Sequence, residues 1–74
     1  MTILLVEDDE SIAIVITAAL EAEGFAVTRC DSIVERDRLL GGQTFSALVT
    51  DVMLTDGDGI ETLDRVREAC PDLP

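Results

Sequence analysis

Carboxylates terminate two apolar runs in this chain, and their placement is the first pointer to chemistry. Ile3-Leu4-Leu5-Val6 leads straight into Glu7-Asp8-Asp9, and Ala47-Leu48-Val49-Thr50 leads into Asp51. Short continuous apolar runs read as strands buried on both faces, the kind found in parallel sheets. Two such strands lying parallel and adjacent bring Glu7, Asp8 and Asp51 within a few ångströms of one another. Like charges gathered so closely repel, and the usual compensation is a divalent cation held through oxygen. Mg2+ keeps several waters and takes one or two carboxylates beside a phosphate oxygen. Asp8 and Asp51 suit direct ligation, Glu7 ligation through water, and the backbone carbonyl of Met53, just past the strand, completes the protein's share. A carboxylate can also act as a nucleophile and form an acyl phosphate. Asp51, alone at its strand end, is the better nucleophile, because Glu7 and Asp8 can hold the metal from the neighbouring strand.

Plainer roles account for some of these acids. Negative side chains suit the positive end of a helix dipole, which explains Asp9 but requires neither three acids nor a partner at Asp51. Asp56 and Asp58 read as turn and cap residues, and Gly57 and Gly59 as residues of turn geometry. A calcium loop of the EF-hand type fails: with Gly59 in the sixth position, Leu54 stands first and Arg65 last, where acids belong. An aspartyl-nucleophile phosphohydrolase would want a second Asp two residues after Asp51, and Met53 stands there instead.

The elements that must position these residues alternate. Ile12, Val15, Ile16, Ala19 and Leu20 follow helical spacing, giving a helix from about Glu10 to Glu23, with Asp8 or Asp9 as cap and Gly24 as stop. Phe25 to Cys30 favours a second strand, and Arg29 places it at an edge, wet on one side. Ser32 and Glu35 form a capping box, opening a second helix that relies on Ile33, Val34, Leu39 and Leu40 and ends at Gly41-Gly42. A third strand, about Ala47 to Thr50, precedes the loop Thr55-Asp56-Gly57-Asp58-Gly59. Asp58 and Glu61 resemble another capping box, and Ile60, Leu63, Val66 and Cys70 stripe a third helix that ends before Pro71.

Strand–helix alternation implies an α/β fold with helices on both faces of a parallel sheet. Right-handed crossovers, with the most apolar strand in the middle, give the strand order 2-1-3. The crevice between strands 1 and 3 is then a topological switch point, where open α/β sheets bind ligands. Pro71-Asp72-Leu73-Pro74 reads as the lead-in to a fourth strand, so residues 1–74 are expected to be the front, truncated part of a larger domain. An uncovered strand 3 edge would then invite self-association.

Composition excludes several functions. The chain has 16 acidic and 5 basic residues and a net charge of −11, which argues against direct nucleic-acid contact by this segment and against an anionic membrane surface. The apolar stretch at residues 3–6 is too short for a signal-peptide core. No run approaches the ~20 apolar residues of a membrane span. Cys30 and Cys70 lack metal-ligand spacing, there is no His, and two reduced cysteines fit a cytoplasmic protein.

The residues now carry a family resemblance. Ile3-Leu4-Leu5-Val6-Glu7-Asp8-Asp9-Glu10-Ser11-Ile12 and Asp51-Val52-Met53-Leu54-Thr55-Asp56-Gly57-Asp58-Gly59 resemble the two signature stretches of bacterial two-component response-regulator receiver domains. The resemblance runs in register through the chain and implies the front portion of a flavodoxin-like doubly wound sheet. It implies that Asp51 accepts a phosphoryl group from a sensor histidine kinase, with Mg2+ held by Asp8, Asp51 and the Met53 carbonyl and assisted by Glu7. Such a domain assists its own phosphorylation and dephosphorylation but is a signalling element and not a conventional enzyme. The alternative is a pseudo-receiver that docks partners without being phosphorylated. Thr55 stands where the family usually has Pro, and Asp37 where an apolar helix residue is common. The family's switch Ser or Thr and its Lys are expected after Pro74. The Asp-Gly-Asp-Gly loop hints at regulators that drive transcription.

Overall fold

The computed structural model describes all of residues 1–74. Strand β1 spans Thr2–Val6, helix α1 Glu10–Ala22, strand β2 Ala26–Cys30, helix α2 Ile33–Gly42 and strand β3 Ala47–Thr50. A two-stranded hairpin, β4 Met53–Leu54 and β5 Gly57–Asp58, precedes helix α3, Leu63–Ala69.

The three main strands form one parallel sheet in the order β2-β1-β3. The central position of β1 follows from its composition. Leu4 and Val6 face one way and join the apolar core with Cys30, Ile33, Leu39, Leu40, Phe45, Leu54 and Val66. Ile3 and Leu5 are equally buried but lie outside that cluster, on the side where Ala13 of α1 is buried. Alternate residues of one strand thus serve both layers. In the register of the sheet, Val6 pairs with Cys30 on one side and Thr50 on the other. The next residues of β1 and β3, Glu7 and Asp51, therefore emerge at the same end.

Helix boundaries follow local chemistry. Asp9 caps α1, its Oδ1 accepting from the Ile12 amide at 3.2 Å. At the other end Phe25 N–H donates to Leu20 O at 3.2 Å and Gly24 N–H to Glu21 O at 3.0 Å, a Schellman arrangement that places Gly24 at φ 92°. Ser32 Oγ accepts from the Glu35 amide at 3.2 Å, but Glu35 turns outward to Arg38 and leaves the second half of the capping box unmade.

Four expectations need correction. First, the loop after β3 contains the β4–β5 hairpin, so the element order is not a plain three-fold strand–helix repeat; α3 starts at Leu63, not near Asp58. Second, Ile12 and Val15 of the anticipated α1 stripe are 48% and 69% exposed. Residues 12–16 are all apolar, so the pattern marks a face wider than the strip that meets the sheet. Third, in α2, which ends at Gly42 as expected, Val34 is exposed while Arg36 takes an interior place. Fourth, the outer edge of β3 is not wholly free. Leu48 N–H donates to the Pro74 carbonyl at 2.9 Å, occupying one of the donors through which association was expected.

Candidate functional site: an acidic cluster at the sheet's carboxyl end

The site is assembled at the carboxyl ends of β1 and β3. Glu7 N–H donates to Cys30 O at 3.0 Å, and Asp51 N–H donates to Val6 O at 2.9 Å. These bonds continue the parallel ladder past the last strand residues and fix the backbone on both sides of the cluster. Arg29, at the β2 edge, donates through Nε and one terminal nitrogen to the Glu7 carbonyl at 3.0 and 2.9 Å. Its guanidinium thus anchors the turn between β1 and α1 through the backbone and leaves the carboxylates free.

Ligand oxygens of Glu7, Asp8 and Asp51 all lie within 4.8 Å of one another. Glu7 is 5% exposed, and its Oε1 accepts from the Asp9 amide at 3.0 Å; Asp8 and Asp51 are half-buried. Asp51 Oδ1 accepts from the Val52 amide at 2.8 Å, which orients its carboxylate. None of the protein's salt bridges involves these residues. At 4.8 Å two unit charges repel by about 3 kcal/mol at an effective dielectric constant of 20. Three oxygen donors of this hardness and spacing fit Mg2+ or Ca2+.

The expected residues Glu7, Asp8 and Asp51 are therefore brought together. Asp9, the remaining acid of the run, points to helix capping and is exposed. Met53 lies two residues past Asp51 and opens the hairpin, pairing with Asp58, with its side chain 80% exposed.

The loop after Asp51 is held by residues whose roles were not legible in the sequence. Gly59 N–H donates to Val52 O at 2.6 Å. A Cβ at Gly59 would be driven into the Asp51 carbonyl oxygen and would stand 2.8 Å from Thr50 Oγ1, so this glycine is required by close backbone approach and not merely by a turn. Arg36 of α2 is 0% exposed. Its guanidinium bonds Thr62 Oγ1 at 2.8 Å, Thr62 O at 3.4 Å, Gly59 O at 3.5 Å and Asp37 Oδ1 at 2.8 Å. Asp56 accepts from the amides of Ile33 and Val34 at 2.8 and 3.0 Å. These N–H donors hold the Asp56 carboxyl below the usual aspartate range. Asp58, as its position suggested, accepts from the amides of Ile60 and Glu61 at 2.7 and 2.9 Å, yet the regular helix begins only after Thr62.

A parallel sheet of order 2-1-3 with an acidic cluster at its switch point is the arrangement of a receiver domain. The sequence profile of the response regulator receiver domain matches residues 3–74, and the chain belongs to that family. It is 39% identical over 71 residues to the response regulator receiver protein CpdR of Brucella abortus, covering 96% of this chain and 59% of that protein. The chain thus spans about three-fifths of that relative's length. Transcriptional regulators also stand among its relatives. The beryllofluoride-activated NtrC4 receiver domain dimer superposes with a TM-score of 0.92 at 33% identity, over 97% of this chain and 60% of that one. A response regulator from Burkholderia pseudomallei, whose crystal structure holds a phosphorylated aspartic acid, a calcium ion and citrate, gives a TM-score of 0.88 at 25% identity, over 97% of this chain and 42% of that one. No helix is long and apolar enough to cross a membrane.

Proposed function

We propose that this chain is the phosphoacceptor portion of a cytoplasmic two-component response regulator, with Asp51 receiving the phosphoryl group of a phosphohistidine on a sensor kinase. The observation that carries this reading is the convergence of Glu7, Asp8 and Asp51 within 4.8 Å at the switch point of the sheet. Membership of the receiver family supports it, as does a relative of the same fold that carries a phosphorylated aspartic acid.

An Asp51 carboxylate oxygen attacks phosphorus, forming the P–O bond of an acyl phosphate as the P–N bond to imidazole breaks. The imidazole leaves with the electron pair and gains a proton from solvent. It belongs to the partner, because this chain has no His. Glu7 and Asp8, together with Asp51 and the Met53 carbonyl, would hold Mg2+, which when bound would offset the charge of the carboxylates and of the incoming phosphoryl oxygens. The Val52 amide, already donating to Asp51 Oδ1 at 2.8 Å, holds one carboxylate oxygen and leaves the other for attack. Hydrolysis of the acyl phosphate by water returns the carboxylate and resets the domain. In the full regulator the phosphorylated state controls an output such as transcription, and a second copy of the domain is one partner it can engage, as in the dimeric NtrC4 receiver.

The test is Mg2+-dependent phosphorylation of the full-length protein by acetyl phosphate, followed by intact mass. The wild type is expected to gain one acid-stable, base-labile phosphoryl group, and Asp51→Asn none. A protein that gains none under either condition is a docking module that acts without phosphorylation.

A further inference from the structure

We propose that helix α2 is a positioning clamp for the loop that carries the acceptor chemistry, with Arg36 and Asp56 as its two jaws; this rests on the acceptor reading of Asp51. The loop from Asp51 to α3 has little core of its own: Val52, Met53, Thr55, Asp56, Gly57, Ile60 and Glu61 are exposed, and only Leu54 and Gly59 are buried. Something outside it must fix its shape, and α2 meets it at both ends.

At the near end, both Asp56 carboxylate oxygens accept from the first amides of α2, Ile33 and Val34. These amides are among the donors that a helix start leaves unsatisfied. At the far end, the buried guanidinium of Arg36 holds the Gly59 carbonyl and both oxygens of Thr62. Asp37 keeps that guanidinium in place and reaches Arg65 of α3 at 3.5 Å. Between the jaws lies Gly59, which donates to Val52 O and packs so tightly on the Asp51 carbonyl that no side chain fits. A shift of α2 is therefore passed through Gly59 to the backbone of Asp51 and Val52. The clamp explains how the loop is held where the first residue of the turn after β4 is Thr55, which leaves its backbone less restricted than proline would.

The clamp is distinguishable from ordinary stabilisation because it acts on one loop. In the full-length protein, Asp56→Ala removes one jaw, Asp56→Asn keeps one of its two acceptor oxygens, and Arg36→Lys keeps the charge but loses the fork. Glu35→Gln, on the outer face of α2, is the control. Amide hydrogen exchange is read at Gly59 and at Glu7, and the acetyl phosphate rate at saturating Mg2+ is read in parallel. Asp56→Ala is expected to speed exchange at Gly59 about tenfold, with Glu7 unchanged, and to slow phosphorylation several-fold, on the order of one lost charged hydrogen bond. Arg36→Lys should act in the same direction, Asp56→Asn, with one acceptor oxygen left, should fall between Asp56→Ala and wild type in both readouts, and Glu35→Gln should change neither.

Exchange at Gly59 that stays at the wild-type rate in Asp56→Ala and Arg36→Lys overturns the clamp. So does a rise shared equally by Glu7, or a faster loop with an unaltered phosphorylation rate. If the wild type takes no phosphoryl group, the acceptor reading falls and the coupling of α2 to catalysis falls with it, while the exchange contrast still shows whether α2 restrains the loop.

Discussion

Charge is handled in opposite ways on the two sides of the acceptor loop. At the carboxyl ends of β1 and β3, Glu7, Asp8 and Asp51 stand together with no salt-bridge partner. On the α2 side, the buried Arg36 is bonded to Asp37, Thr62 and Gly59, and Asp56 is bonded to two helix amides. Matched charges specify where a segment sits. Unmatched like charges repel one another and leave attraction in reserve for a cation. The same residue types are therefore compensated within the fold in one place and left uncompensated in the other, which is what the proposed cation and phosphoryl site requires.

That contrast predicts opposite signs for charge removal. Arg36→Met leaves Asp37, Thr62 and the Gly59 carbonyl without their shared donor, and the cost is expected to be about 3 kcal/mol, read from denaturant midpoints of the full-length protein. Asp8→Asn in the absence of divalent cations is expected to stabilise the fold by about 1 kcal/mol, because it relieves repulsion. The same variant should lose the stabilisation that added Mg2+ gives the wild type. A loss of stability in both variants would show that the acidic cluster is as well compensated as the α2 side, and the contrast would be gone.

The smallest effect is in acid. The Asp56 carboxyl lies below its ordinary value because the Ile33 and Val34 amides donate to it. Its contribution to stability is therefore full above the unfolded-state pKa of about 3.9 and is lost as pH falls through the lower folded-state value. Asp56→Asn should flatten this part of the stability profile below about pH 4 by lowering stability in the neutral region, where the ionised carboxylate contributes in full. An unchanged acid limb would show that the two amide bonds do not favour the charged form.

Much of the site was legible because its signals are local or periodic. Apolar runs ending in acids located β1 and β3, and the parallel pairing that joins Glu7 to Asp51 followed from alternation of strands and helices. Gly24, Asp9 and Ser32 marked helix ends through cap chemistry that depends only on near neighbours. Arg36 escaped notice because Glu35, Arg36, Asp37 and Arg38 read alike in the sequence, and only the placement of Thr62, 26 residues away, draws one of them inward. The hairpin was equally hidden: its strands have two residues each, too few for alternation to show. Asp56 and Gly59 appeared as turn residues because their partners, the α2 amides and the Asp51 carbonyl, are fixed only by tertiary packing.

The central claim is that Glu7, Asp8 and Asp51 form one divalent-cation site. It is tested most directly by titrating the full-length protein with Mg2+ and following backbone amide resonances. A saturable, single-site response concentrated at residues 7–9 and 51–54, and abolished by Asp8→Asn, is the predicted result. No saturable response in that region, or one that survives Asp8→Asn unchanged, would contradict the claim.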